Sequence, residues 1–128
     1  MLDILILEDD LPMAGLLVAV LSDAHYSVGH AINGRTGLAM MATGQPRLVL
    51  SDVHMPDVDG ISFARLLRGR ADLPQPPIVF MTADTDRLPT PGGSVICLPK
   101  PFDLNTLMAQ VQALVAQPRH PHPSPIVP

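Results

Sequence analysis

Four apolar runs in this chain each end in a group that handles charge or a proton. Ile4-Leu5-Ile6-Leu7 runs into Glu8-Asp9-Asp10, and Leu48-Val49-Leu50-Ser51 into Asp52. Ile78-Val79-Phe80-Met81 ends at Thr82, and Val95-Ile96-Cys97-Leu98 leads through Pro99 to Lys100, the only lysine. Carboxylates, a hydroxyl and one ammonium gathered in one place make a site for a divalent metal and a phosphoryl group. Two carboxylates about 4 Å apart repel by roughly 4 kcal/mol at an effective dielectric of about 20. Protons or a cation must relieve that repulsion. Oxygen ligands with room for several waters suit Mg²⁺. On this reading Glu8, Asp9 and Asp52 hold the metal, joined by the backbone carbonyl of His54. Asp52 also attacks phosphorus through its second oxygen. A carboxylate is a weak nucleophile, so the donor must be activated, as a phosphohistidine is. The metal and Lys100 then offset charge on the transferred oxygens, and Thr82 donates a hydrogen bond to the new phosphoryl group.

Taken singly, each of these groups has a plainer reading. An acid after a strand caps a helix or faces water, a lone lysine solubilises, and a threonine after an apolar run turns the chain. Their joint placement at four strand ends is what favours a site.

The elements that must position them follow from pattern. Leu2 to Leu7 is apolar on both faces, as a strand buried on both faces is. Asp10 caps the next helix, with Pro12 in its first turn. Met13, Leu17, Val20 and Ala24 form one stripe at helical period. Tyr26 to Ala31 reads as a strand. Asn33 caps a helix to about Thr43, with Gly44 in the left-handed position that ends it. Arg47 to Ser51, Ile78 to Met81 and Val95 to Leu98 read as further strands. Asp59-Gly60 opens a helix to Arg68. Asp103 caps a last helix with Leu104, Leu107, Met108, Val111, Leu114 and Val115 on its buried side.

Strands alternating with helices imply a parallel sheet covered on both faces. Five strands suit the doubly wound order 2-1-3-4-5, whose ligands bind at the carboxyl ends near the switch point between strands one and three. One interval breaks the pattern: residues 83–94 hold two prolines, two adjacent glycines and one large apolar residue, Leu88. A loop is expected there, with the fourth crossing helix shortened or absent.

Composition bounds the rest. The 128 residues are 47% apolar and 16% charged, which fits one globular domain. Residues 1–117 are assigned to it. Residues 118–128 hold five prolines and read as an extended tail in which His120 and His122 are exposed. A net charge of -4 gives no electrostatic footprint for nucleic acid. Arg65, Arg68 and Arg70 read as a solvated helix face. One cysteine excludes an internal disulfide and a cysteine-based zinc site, and Cys97, inside an apolar run, is expected to be buried and inert. No apolar stretch reaches the ~20 residues of a membrane span. No leader is visible at the start, so a cytoplasmic location is expected.

The chain resembles a response-regulator receiver domain of two-component signalling. The resemblance rests on Ile4 to Asp10, on Leu48 to Gly60 (LVLSDVHMPDVDG), on Met81-Thr82-Ala83 and on Leu98 to Phe102, and covers residues 2 to about 117. It implies a flavodoxin-like fold, Glu8 and Asp9 as the acidic pair for Mg²⁺, Asp52 as phosphoacceptor, Thr82 as switch hydroxyl and Lys100 as the phosphate-contacting lysine. It also implies a cis peptide at Lys100-Pro101. The partners it implies are a histidine kinase or histidine phosphotransfer protein as donor and a downstream protein for output.

The chain departs from the family three residues before the lysine. Most receivers carry Tyr or Phe there, and that aromatic swings inward as the threonine moves. Here the position is Cys97, whose thiol lacks the bulk. Phosphorylation is therefore expected to act by ordering the 83–94 loop or exposing another face. Three alternatives stand beside the phosphoacceptor. One is a receiver-like interaction module that works without phosphorylation. The second is an aspartate-nucleophile phosphatase, which would place paired aspartates one residue apart after the first strand. The third is a flavin carrier, for which one Tyr, no Trp and no Ser/Thr-rich phosphate loop are poor material.

Overall fold

The computed structural model describes residues 1–83 and 96–116. The expected loop and the shortened fourth helix fall in the interval that lies outside them, as does the 118–128 tail. The described elements, in chain order, are β1 (Ile4–Leu7), α1 (Leu11–Asp23), β2 (Val28–Ala31), α2 (Gly34–Gly44), β3 (Leu48–Asp52), α3 (Gly60–Arg68), β4 (Ile78–Thr82), β5 (Ile96–Pro99) and α4 (Leu104–Val115).

All strands run parallel in one sheet of order β2-β1-β3-β4-β5, the expected doubly wound arrangement. β1, β3 and β4 are buried along their whole length. Alternation sends successive side chains to opposite faces, so each strand feeds two cores. Ile4, Ile6, Leu48, Leu50, Val79 and Met81 pack with Leu17 and Leu21 of α1 and Leu107, Val111 and Val115 of α4. Leu5, Leu7, Val49 and Phe80 pack on the other face with Met41 of α2 and Phe63 and Leu67 of α3. The carboxyl ends of β1 and β3 thus meet at the centre of one edge, where the chain turns from one face to the other.

Each described helix starts at a side-chain cap. Asp10, Asn33, Asp59 and Asp103 accept from the amides of Met13, Thr36, Ser62 and Thr106, respectively. Asn33 Oδ1 lies 2.8 Å from the Thr36 nitrogen and its backbone is extended. Asn33→Ala should therefore lower stability by about 1 kcal/mol, read as a shift of the urea midpoint at unchanged slope.

Several local expectations need correction. The buried stripe of α1 is Ala14, Leu17 and Leu21; Val20 and Ala24 are half-buried flanks. Gly44 is the last helical residue of α2, and the left-handed residue is Gln45, at φ 43°. A Cβ on Gly44 would stand 2.9 Å from Leu2 Cδ1, the end of a side chain that would have to turn aside. Leu104 is exposed, and the fully inward residues of α4 are Leu107 and Val111. Cys97 is half-buried because β5 is a sheet edge; burial still pushes its thiol pKa up. Arg65, Arg68 and Arg70 are exposed, as expected of a solvated face. No helix among the described residues is long and apolar enough to cross a membrane.

Candidate functional site

The site is built from strand ends. Beyond β1, Glu8 extends the ladder by donating its amide to the Ala31 carbonyl at 3.0 Å. Its side chain is fully buried. Its Oε2 accepts from the Asp10 amide at 3.3 Å, inside the turn that caps α1. Asp52 closes β3, and its Oδ1 accepts from the Val53 amide at 2.8 Å. Oxygen atoms of Glu8, Asp9 and Asp52 all lie within 4.8 Å of one another. Residues more than forty apart in sequence thus share one pocket, as the strand order requires.

Lys100 completes it. Its Nζ lies 3.2 Å from Glu8 Oε1 and 3.5 Å from Asp52 Oδ2. Glu8 is the only glutamate of the chain, so its one lysine and its one glutamate face each other. The lysine is placed by its own main chain, whose amide donates to the Thr82 carbonyl at 2.9 Å at the end of β4. The peptide that follows, Lys100-Pro101, is cis. Thr82 is buried and ends β4 next to β3. His54, two residues beyond Asp52, is exposed.

The electrostatics follow from this packing. Burial pushes the Glu8 carboxyl from the ordinary 4.5 up to about 7, and its hydrogen bond to Asp52 and the Asp52 charge push the same way. Lys100 and the Asp10 amide pull it back only in part. Burial also works against the Lys100 ammonium, but Glu8 and Asp52 outweigh it and raise its pKa. Three acidic side chains therefore face one ammonium, with Glu8 poised to keep a proton near neutrality. That excess of negative charge, presented by oxygen atoms alone, fits a hard divalent cation such as Mg²⁺.

The sequence marks these groups but neither their pairings nor the brace beside them. Arg35 of α2 donates two hydrogen bonds to Asp57, at 2.6 and 3.0 Å, where Asp57 takes a left-handed φ of 66° in the loop after β3. A fork of that kind matches a carboxylate geometrically, but nothing short of the fold pairs those two positions. Beside Lys100, a largely apolar cavity of about 360 Å³ is lined by Met13, Leu16, Leu17, Phe102 and Leu104 among others.

Comparison with known proteins agrees with this geometry. The family described as response regulator receiver domain matches residues 4–112. Response regulator MprA of Mycobacterium tuberculosis is 37% identical over 116 residues, covering 88% of this chain and 50% of that protein. The chain spans about half the length of the curated relatives it matches. Among solved structures, the signal receiver domain of a signal transduction histidine kinase from Syntrophus aciditrophicus superposes with a TM-score of 0.76 at 30% identity, covering 91% of each chain. The receiver domain of sensor histidine kinase PA1611 from Pseudomonas aeruginosa PAO1 has a magnesium ion coordinated in its active-site cleft. It shares this fold at a TM-score of 0.79 and 24% identity, over 91% of this chain and 98% of that one.

Proposed function

The chain belongs to the response-regulator receiver domain family, and from that premise we propose that Asp52 accepts a phosphoryl group from the phosphohistidine of a histidine kinase or histidine phosphotransfer protein. The observation that carries this is the position of Lys100, whose Nζ reaches both Glu8 and Asp52 at one rim of the acidic pocket. An Asp52 oxygen attacks phosphorus, the bond from phosphorus to the donor's imidazole nitrogen breaks, and the imidazole leaves with the electron pair. The Val53 amide fixes Oδ1, which leaves Oδ2, on the Lys100 side, as the attacking atom. Lys100 offsets the charge on the phosphoryl oxygens, and Thr82 donates to one of them from the end of β4. Mg²⁺, when bound, supplies further charge neutralisation at the same oxygens. Glu8, Asp9, Asp52 and the His54 carbonyl are the residues that would hold it. Water attack on the acyl phosphate later returns Asp52 to its free form.

The donor's imidazole must approach on the Lys100 side. There the apolar cavity and the exposed Leu16 and Leu104 offer non-polar footing for a protein surface. Output passes to a downstream protein, and a cytoplasmic setting suits such a donor. Cys97, half-buried on an edge strand, is a poor replacement for an aromatic switch, so output is assigned to a route that does not use one.

Phosphoramidate, a small donor with a phosphorus–nitrogen bond, tests the reaction. Wild type should gain one acid-stable, hydroxylamine-sensitive phosphoryl group in Mg²⁺, and Asp52→Asn none. Equal labelling of the two proteins would move the acceptor elsewhere. No labelling of either, by phosphoramidate or a cognate kinase, would favour an interaction module that works unphosphorylated.

A further inference from the structure

We propose that His30 is a positioning residue for the metal site, holding the peptide between Glu8 and Asp9 so that both carboxylates turn toward Asp52. The inference rests on reading Glu8 and Asp9 as Mg²⁺ ligands. His30 Nε2 lies 2.7 Å from the Glu8 carbonyl oxygen. A carbonyl only accepts, so Nε2 carries the proton.

The geometry explains why the contact bears on the ligands and not only on the strand. His30 pairs in register with Ile6, and alternation puts its side chain on the face that Ile6 and Val28 share, the face covered by α1. The backbone ladder reaches as far as the Glu8 amide, which the Ala31 carbonyl accepts. The Glu8 carbonyl lies one step further on, and His30 reaches it with its side chain. That carbonyl shares a rigid plane with the Asp9 nitrogen and with the Cα atoms of both residues. Holding the oxygen therefore restrains the rotation of that plane, and with it ψ of Glu8 and φ of Asp9, on which the direction of each side chain depends. The Asp10 amide, bonded to Glu8 Oε2, steadies the same turn from the other side.

Groups that orient ligands in this way commonly change metal affinity by about 10-fold or more when removed. Calorimetric titration with Mg²⁺ separates this role from a merely structural one. His30→Phe keeps the ring volume and loses the donor, whereas His30→Gln carries an amide donor to about the reach of Nε2. The expected result is roughly tenfold weaker Mg²⁺ binding for His30→Phe, near-wild-type binding for His30→Gln, and metal-free melting temperatures that stay together. Wild-type affinity in His30→Phe overturns the proposal, and so does a His30→Gln protein that binds no better than His30→Phe. A wild type that binds no Mg²⁺ overturns the reading of Glu8 and Asp9 on which it rests, a different outcome from wild-type binding that His30 leaves unchanged.

Discussion

Gly60→Ala is expected to remove about 3 kcal/mol of stability and to impair phosphoryl acceptance with it. Gly60 is the first residue of α3, and its amide donates to the Val53 carbonyl at 3.0 Å. A Cβ built on it would stand 2.0 Å from the Asp52 carbonyl oxygen, 2.7 Å from Ser51 Oγ and 3.0 Å from the Asp52 carbonyl carbon. Those obstacles are main chain and a buried hydroxyl that itself donates to the Asp52 carbonyl at 2.8 Å. No rotamer change clears them. Relief requires α3 to move off the end of β3, which loosens Phe63 and Leu67 from their core and shifts the residue that bears the nucleophile. Overpacking of a good core costs roughly 1–3 kcal/mol, and a backbone obstacle puts this case at the upper end. Urea denaturation of the metal-free protein reads the loss, and phosphoramidate labelling reads the site. A variant within about 1 kcal/mol of wild type, labelled at the same rate, would mean that α3 slides freely and that the close approach has no mechanical consequence.

Asp59-Gly60 was legible as the opening of a helix, but the need for glycine there was not. The cap follows from local chemistry, whereas the crowding depends on which strand end the helix lands against. The same division runs through the molecule. Runs such as Ile4 to Leu7 and Leu48 to Leu50, buried on both faces, point to central parallel strands, and the order of the sheet follows from their alternation with helices. α1 is different: Leu11, Met13, Leu16, Leu17, Val18, Val20 and Leu21 surround it with apolar positions. Several stripes then satisfy the period, and packing selects Ala14, Leu17 and Leu21. Cys97 is half-buried although its run is apolar, because the order 2-1-3-4-5 leaves the fifth strand at an edge, which outweighs the run's own pattern. At the site, Glu8, Asp9, Asp52 and Lys100 stood out by type and position. The contact of Lys100 with Glu8, the His30 bond to the Glu8 carbonyl and the Arg35–Asp57 brace join residues about 20 to 90 apart, and only the assembled sheet brings such pairs together.

Metal-free protein is expected to lose stability as pH rises from about 4.5 to about 7, and saturating Mg²⁺ should abolish that loss. Glu8 titrates near 7 in the folded protein against an ordinary 4.5, with burial as the main cause and Asp52 second. Between those values the folded state keeps a proton that the unfolded chain has released. Stability then falls as pH rises, and the favourable contribution, complete below about 4.5, is gone above about 7. A displacement of that size corresponds to at most about 3 kcal/mol. Asp57 and Asp103 work in the opposite sense: their lowered pKa values lend stability that is lost only as pH falls below the ordinary aspartate range. The two windows therefore do not overlap. Mg²⁺ needs the deprotonated oxygens, so it binds better as pH rises and adds stability by mass action where the metal-free protein is weakest. Urea midpoints across this window, with chelator and with Mg²⁺, should diverge steadily toward neutrality. Glu8→Gln, which holds no titrating proton, should flatten the metal-free curve and lose the response to Mg²⁺. A wild-type curve that is flat or rising with chelator, or a Glu8→Gln curve that keeps the wild-type slope, would place the proton and the cation somewhere other than the mouth of β1.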